Sequence, residues 1–559
     1  MQLDLRRHAP LLVALWCVAL TAAVIALRPL TPVDETRYAS VAWEMWRSGD
    51  WLQLRLNGEL YGDKPPLLFW LINAGWTIFG VSDWWPRVLT ASFAAGALGL
   101  TWRLARRLAP SRPEVAPIAV FITGSGLYWT LFTGALMFDA MLSFFVLLGV
   151  LGVARAATGG RWANWIGVGV AIGLGILTKG PVALLHVLPL ALLAPWWTAA
   201  MARPAGVSPG WGRWYGGVAI AVLLGAAIAL AWAVPAALAS GAAFGREIFW
   251  NQSVDRMATT THHLKAAWFY LAALPVLLFP WLFVPSVWKG LAGLGRAPAA
   301  LVTRFALAWA VPVLLAFSAF KGKQAQYLLP ETACFALLAG AALATLNRAR
   351  ASSLTVDRLV VAGVLFALSV VIAILMYQPR FAHVIQAGER SAIVLTIVVI
   401  GAIVLMLALV RVSSQLASTA LLGTASVLAL LGSYAGIGRA LFDSYDVRPV
   451  AQYLAQVQAA GRPIANVCKY HGQFQFVGRL QEPLHVIRQA REALEWAQAN
   501  PGGAVVLYSY RPLSHPDAKP EFVQGFKGHE VYVWRAADLR GVSDSWYTDR
   551  LADDGSDGC

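Results

Sequence analysis

The sequence predicts a polytopic α-helical membrane protein of about thirteen transmembrane helices, with a small C-terminal α/β region outside the membrane. Three observations predict it. Hydrophobic residues make up 58% of the 559 and charged residues only 13%, where soluble globular proteins average roughly 25% charged. The apolar excess falls in runs of roughly 20 residues, each continuous rather than alternating, which fits spanning helices and not a β-barrel. From about residue 440 the composition turns to that of a soluble domain.

The spans are expected near 10–29, 87–108, 115–134, 137–156, 163–178, 181–200, 215–238, 267–288, 301–319, 325–346, 357–377, 391–411 and 416–436. Only "TKGP" separates the fifth from the sixth. The first run has no cleavage site of the A-x-A kind, so it reads as a retained helix. Basic residues orient the set. "LRRH" precedes the first span, "RLARRLAPSRPE" follows the second, and "NRARASSLTVDR" follows the tenth. Arg155, Arg161, Arg203, Arg213, Lys289, Arg296, Arg304 and Arg411 fall on that same side. The positive-inside rule makes it cytoplasmic, and an odd span count sends the C-terminus outside. The net charge of +15 thus reads as topology signals and contact with anionic lipid, with no nucleic-acid partner. Cys17, Cys334, Cys468 and Cys559 show no metal or disulfide spacing.

Residues 1–439 form the membrane part in this reading. Its outer loop at 31–86 holds "ETRYASVAWEMWRSG" and "PPLLFWLINAGWTIFG", two short helices amphipathic enough to lie along the interface. A second outer loop covers 239–266. In the 440–559 region, "GRPIANVC" and "GGAVVLYSY" look like strands and "RQAREALEWAQAN" like a helix between them.

The outer face gathers polar residues. Asp34 and Glu35 stand at the mouth of the first span, and Asp139 lies between the third and fourth. A carboxylate so near hydrocarbon is costly unless it meets a cavity or a partner. The three suit a general base, a cation site or a binder of amino groups. Asp34 alone would equally suit the N-cap of the helix that follows it. Lys64, before two prolines, suits phosphate as a flexible point charge, or simply reaches for the interface. Arg256 suits bidentate phosphate recognition. His262 and His263 are a weak metal signal, because neighbouring side chains diverge, and zinc would need a further ligand such as Asp63. Lys321, Lys323 and Tyr327 sit at the outer mouth of the tenth span, against the charge bias, so they call for an anion or for lipid headgroups. Lys179 of "LTKGP" lies on this face too. A flippase or ion path would place polar residues across the membrane, whereas here they collect at one face.

Several of these stretches together resemble a known family. "DETRYASVAWEMWRSGDW" with "YGDKPPLLFWLINAGWTIFG" is similar to the bacterial aminoarabinose transferases of lipid A. These are GT-C membrane glycosyltransferases related to the protein O-mannosyltransferases. The family pattern D-E-T-R-Y falls on Asp34 to Tyr38, the acidic-K-P pattern on Asp63-Lys64-Pro65, and Y-W-I-N on residues 69–73. Trp250 with Arg256, His263 before an aromatic cluster, and K-G-K-x-x-x-Y-x-L-P at 321–330 continue the match. Asp63 stands where glutamate is usual. Gln252-Ser253 replace E-H, and Ala267-Trp268-Phe269-Tyr270 replace P-F-W-Y-Y.

The resemblance implies an inverting transfer of 4-amino-4-deoxy-L-arabinose from undecaprenyl phosphate to a lipid A phosphate, at the periplasmic face of the bacterial inner membrane. It implies catalytic Asp34, Asp139 and Glu35, and a donor-phosphate site of Lys64, Arg256 and Tyr327. Arg37, Tyr61 and Lys321 would support them. Asp63 and His263 would be the ligands of any divalent metal, zinc included. The partners implied are the lipid-linked donor, lipid A and the phospholipid bilayer, with the chain a monomer. The runner-up is another polyprenyl-phosphate-sugar transferase with a protein or glycan acceptor; the non-enzyme alternative is a lipid flippase or transporter.

Overall fold

The computed structural model describes residues 5–539 apart from 160, 202–209, 242–243, 246–264, 295–296, 347–350, 377–388, 469, 489, 510–512 and 514–517. All thirteen apolar runs fall on helix. In order, α1 is Leu5–Leu27, α2 Asp34–Ser48, α3 Leu67–Phe79, α4 Trp84–Leu108, α5 Val115–Ser125, α6 Leu127–Phe132, α7 Phe138–Gly159 and α8 Trp162–Lys179. Then come α9 Val182–Leu192, α10 Ala194–Thr198, α11 Trp211–Ser240, α12 Phe269–Leu277, α13 Pro285–Leu291, α14 Ala297–Ala319 and α15 Thr332–Thr345. The last spans are α16 Ala351–Met376, α17 Glu389–Leu409 and α18 Gln415–Ser433.

Among the described residues, nine helices are long and apolar enough to cross a membrane. The runs at 115–134, 181–200, 267–288 and 325–346 are instead broken into shorter pieces. The breaks have local causes. Gly126 leaves helical geometry between α5 and α6, Pro195 starts α10, and Pro280 and Pro285 divide the 267–288 run. A broken helix frees backbone groups that hydrocarbon cannot satisfy. Two of the breaks satisfy each other: the Leu127 amide donates to the Phe279 carbonyl at 2.9 Å.

The C-terminal region begins with α19 (Arg439–Asp443) and α20 (Arg448–Ala459). Its sheet has strands β3 (Ile464–Val467), β4 (His485–Ile487), β5 (Ala504–Ser509), β6 (Phe522–Phe526) and β7 (His529–Arg535), in the order β4-β3-β5-β7-β6. The first three pair in parallel, and β7 runs antiparallel to β5 and β6, with Val506 opposite Val533. Leu454, Ile464, Val506 and Val533 fill one face under α20. Val467, Val505, Leu507 and Trp534 fill the other, under α21 (Ala490–Ala499). Strands at "PIANV" and "AVVLYS" and the helix between them match the expectation. β4, β6 and β7 were not foreseen. Cys468 is disulfide-bonded, against the expectation from cysteine spacing.

A hairpin of β1 (Arg55–Leu56) and β2 (Glu59–Leu60) joins α2 to α3, and a loop of the C-terminal region packs over both helices. Ser40 Oγ donates to the Gly472 carbonyl at 2.6 Å and accepts from the Phe476 amide at 3.0 Å. Trp43 Nε1 donates to the Leu480 carbonyl at 3.0 Å, and Asn57 exchanges two hydrogen bonds of 2.8 Å with the Leu484 backbone. Gly472 has φ +73°, a left-handed conformation that favours glycine, and a Cβ there would also press on Leu56 Cδ1 at 2.5 Å. α2 is consequently more enclosed than a helix lying on an interface, with Tyr38 to Met45 all buried.

Phe476 is fully buried, stacked on Trp76 with ring centroids 5.2 Å apart, with the Arg479 guanidinium 3.7 Å from its ring centroid. Phe476→Ala should therefore loosen the C-terminal region from α2 and α3, at a cost of about 3–5 kcal/mol. Limited proteolysis of the membrane-inserted chain checks this: faster cleavage within 470–484 is expected, and an unchanged rate would show that Phe476 does not hold the contact.

Candidate active site

α2 opens at the polar end of α1, and its first turn carries Asp34 and Glu35. Neighbours on a helix point about 100° apart, and the two carboxylates have different fates. Glu35 turns inward, its side chain 4% exposed. Oε1 accepts from Arg28 at 2.6 Å and from the Leu136 amide at 2.7 Å. Oε2 accepts from the Thr31 amide at 2.9 Å and lies 3.6 Å from Arg87. Burial by itself would raise its pKa. Arg28, Arg87 and the two amides outweigh that and hold it below the ordinary carboxylate range. Arg87 also donates to the carbonyls of Val24, Arg28 and Pro29, so this cluster ties the end of α1 to α4 and to the entry of α7.

Asp34 stays open, its side chain 43% exposed. It is the first residue of α2 and not its N-cap, which is Val33 with no side-chain capping bond. Its Oδ1 instead accepts from Arg37 and from the Tyr38 hydroxyl, the latter at 3.1 Å. Burial, with Asp34 and Tyr61 nearby, pushes the Tyr38 phenol well above its ordinary pKa, so Tyr38 keeps its proton and donates. Burial would lower the Arg37 pKa, but Tyr61, Tyr38, Asp34 and Asp63 surround the guanidinium and raise it. Lys64 stands 6.0 Å over the Tyr38 ring, with Nζ 3.2 Å from the Asp63 carbonyl. Asp34, Arg37, Tyr38, Tyr61, Asp63 and Lys64 thus form one patch.

Asp139 lies in the first turn of α7 and is 2% exposed. Its carboxylate holds the Lys179 ammonium at 2.5 Å, and that ammonium also lies 4.9 Å over the Tyr327 ring. Tyr327 comes from a 3-10 turn, Ala325–Leu328, between α14 and α15. Asp139 also acts on the Tyr38 phenol, so this group adjoins the Asp34 patch. The two lysines of "KGK" part company. Lys321 is exposed, while Lys323 is buried and donates to the carbonyls of Lys265 and Phe320. Arg256 and His263 lie outside the described residues. Among the described residues no group of three or more His, Cys, Asp or Glu could hold a metal ion. Lys179, Arg28 and Arg87 were absent from the expected site. Their signal in the sequence was a basic residue at the end of a span opposite to the expected cytoplasmic loops, against the charge bias.

Residues 63–238 match the family described as dolichyl-phosphate-mannose-protein mannosyltransferase. The chain is also similar to proteins named undecaprenyl phosphate-alpha-4-amino-4-deoxy-L-arabinose arabinosyl transferase. That of Edwardsiella ictaluri is 33% identical over 327 residues, 56% of this chain and 54% of the relative. That of Shewanella sediminis is 28% identical over 382 residues, 66% of each. The chain thus spans between about half and two thirds of the length of the curated relatives it matches. Among solved structures, ArnT from Cupriavidus metallidurans bound to undecaprenyl phosphate superimposes with a TM-score of 0.72 at 22% identity, covering 95% of this chain and 99% of that one. The fold is therefore the GT-C membrane fold with a small C-terminal sheet.

Proposed function

We propose that this chain, whose fold and relatives are those just described, is an inverting glycosyltransferase. It moves 4-amino-4-deoxy-L-arabinose from undecaprenyl phosphate to a phosphate of lipid A. One observation carries the reading. An open carboxylate, Asp34, shares a patch with Lys64 and Arg37, beside a half-buried ammonium, Lys179, that lies over the Tyr327 ring. Such a site can hold two anionic lipids, one sugar and its positive amino group together. Two observations support a location: the basic loops on the opposite side and the disulfide at Cys468, a bond typical of an oxidising compartment. Both favour the periplasmic face of the inner membrane.

The chemistry is a direct displacement. An acceptor phosphate oxygen attacks the anomeric carbon, and the bond from that carbon to the undecaprenyl phosphate oxygen breaks with its electron pair. Undecaprenyl phosphate leaves with one more negative charge, and the anomeric centre inverts. Lys64, Arg256 and Tyr327 hold that leaving phosphate and stabilise the charge it gains. Asp139 fixes the Lys179 ammonium beside them. Asp34 orients the acceptor or binds the ammonium of the sugar. An acceptor phosphate with a second pKa near ~6 is largely ionised at neutral pH and needs little help from a base. Glu35 is a positioning residue, since Arg28, Arg87 and two amides already engage its oxygens. Asp63, one of the two residues expected to hold any divalent metal, lies close enough to the Arg37 guanidinium to favour its charge.

A second reading, transfer to a hydroxyl of a protein or glycan, is favoured by the match of residues 63–238. There Asp34 would take the hydroxyl proton. Mass spectrometry of lipid A from cells with and without the chain separates the two. A mass increment on the phosphates is expected. It should fall by about 100-fold or more in Lys64→Ala, the order seen when a charge-stabilising donor is removed. Unchanged lipid A beside newly glycosylated protein would replace the first reading with the second.

A further inference from the structure

His186 and Glu331 are a buried ionisable pair that the chemistry above does not use. His186, on α9, is fully buried, and its Nδ1 lies 2.7 Å from Glu331 Oε1. Glu331 is 8% exposed and immediately precedes α15. Their far atoms, His186 Nε2 and Glu331 Oε2, are buried without a hydrogen-bond partner among the described residues. Ionisable groups among apolar helices cost free energy, and a buried pair can cost more than its attraction returns. Such a pair calls for a role other than stability.

Its position supplies one. Lys179 closes α8, Gly180 with φ +83° and Pro181 turn the chain, and α9 carries His186 away from that point. Glu331 follows Tyr327 by four residues, across the short turn Ala325–Leu328. A turn of this length has few bonds of its own, so its placement depends on outside anchors. One anchor is the Tyr270 hydroxyl, which donates to the Gln324 carbonyl at 3.2 Å. The His186–Glu331 bond is the anchor at the other end. Phe317 fills the space between, 5.4 Å from the His186 ring and 5.6 Å from Tyr327.

We propose that the His186–Glu331 pair is a positioning device for the polyprenyl phosphate: it pins the turn bearing Tyr327 to the helix that continues from Lys179, and so sets the Lys179–Tyr327 arrangement that receives the phosphate. This rests on the donor-site reading above. Neither residue touches the lipid. Both act through Tyr327 and are positioning residues.

The test is a double-variant cycle on the full chain in lipid nanodiscs, with undecaprenyl phosphate as the probe and its binding as the readout. His186→Phe keeps a ring against Phe317 and removes the bond to Glu331. It should weaken binding about tenfold in the wild-type background, and less than about twofold when Tyr327→Ala is already present. Glu331→Gln, nearly isosteric, should show the same pattern with a smaller loss, and carries the cycle if His186→Phe does not fold. Equal losses in the two backgrounds would mean a general structural effect and would overturn the proposal, as would unchanged binding in both variants. If the wild type itself does not bind undecaprenyl phosphate while the protein melts normally, the donor-site reading falls, and the proposal with it.

Discussion

Glu35→Ala is expected to be recovered in much lower yield than the wild type and to melt well below it. The substitution leaves Arg28 and Arg87, with side chains 13% and 4% exposed, without their counter-charge. It also strands the buried amide of Leu136 and the half-buried amide of Thr31. Removing one partner of a buried ion pair costs about 3–5 kcal/mol. Glu35→Gln, which keeps the volume and part of the hydrogen bonding, should fall between the two. The sign of the pH dependence follows from the depressed pKa of Glu35. Its contribution is complete above the unfolded carboxylate value of about 4.3 and fades only as pH falls through the lower folded value. The gap between wild type and Glu35→Ala should accordingly stay constant from pH 5 to 8 (approximate bounds) and narrow in stronger acid. Melting of the purified proteins in detergent measures it, and a Glu35→Ala protein that melts like wild type would show that the cluster does not hold these helices together.

Asp34→Asn should abolish most transfer while leaving the fold intact, because Asp34 is open and Arg37 and Tyr38 can still meet an amide oxygen. The size of the loss does not reveal the role. A displacement of about 1 Å can cost roughly a hundredfold, so orientation alone accounts for a large effect. The wild-type pH profile under saturating lipids does distinguish them. A phosphate acceptor predicts a rate that rises with its second ionisation, near ~6, and that moves when a phosphonate acceptor of different pKa is supplied. A rise that stays fixed would assign the ionisation to the protein, with Asp34 the first candidate, and would remove the pre-ionised acceptor from the mechanism.

The sequence carried the helices because an apolar run states its own environment. It carried the location of Asp34 and Glu35 for the same reason: charge beside hydrocarbon is conspicuous. It did not carry their division of labour. Which carboxylate turns inward depends on Arg28 and Arg87, and only the packing of α1 against α4 brings those two together. Lys321 and Lys323 are two residues apart and look alike in sequence, yet one is exposed and the other is spent on backbone carbonyls. Lys179 stood out as a lysine at the end of a span, but its bond to Asp139 spans 40 residues. Strands β4 and β6, of three and five residues, are too short to show a period, and Gly525 interrupts β6.

The loop laid over α2 gives the chain an order of events. Ser40 finds its partner at Gly472, 432 residues further on. At about 5–20 residues per second of synthesis, that partner emerges roughly 20–90 s after α2 does. Through that interval Ser40, Trp43 and Asn57 lack their partners, and the helix bearing Asp34 is without its cover. A nascent chain can thus insert most of its spans while the catalytic face is still unfinished. Completion waits on synthesis of the residues from Gly472 onward, so a chain interrupted before Gly472 would carry its spans without the contacts that enclose α2.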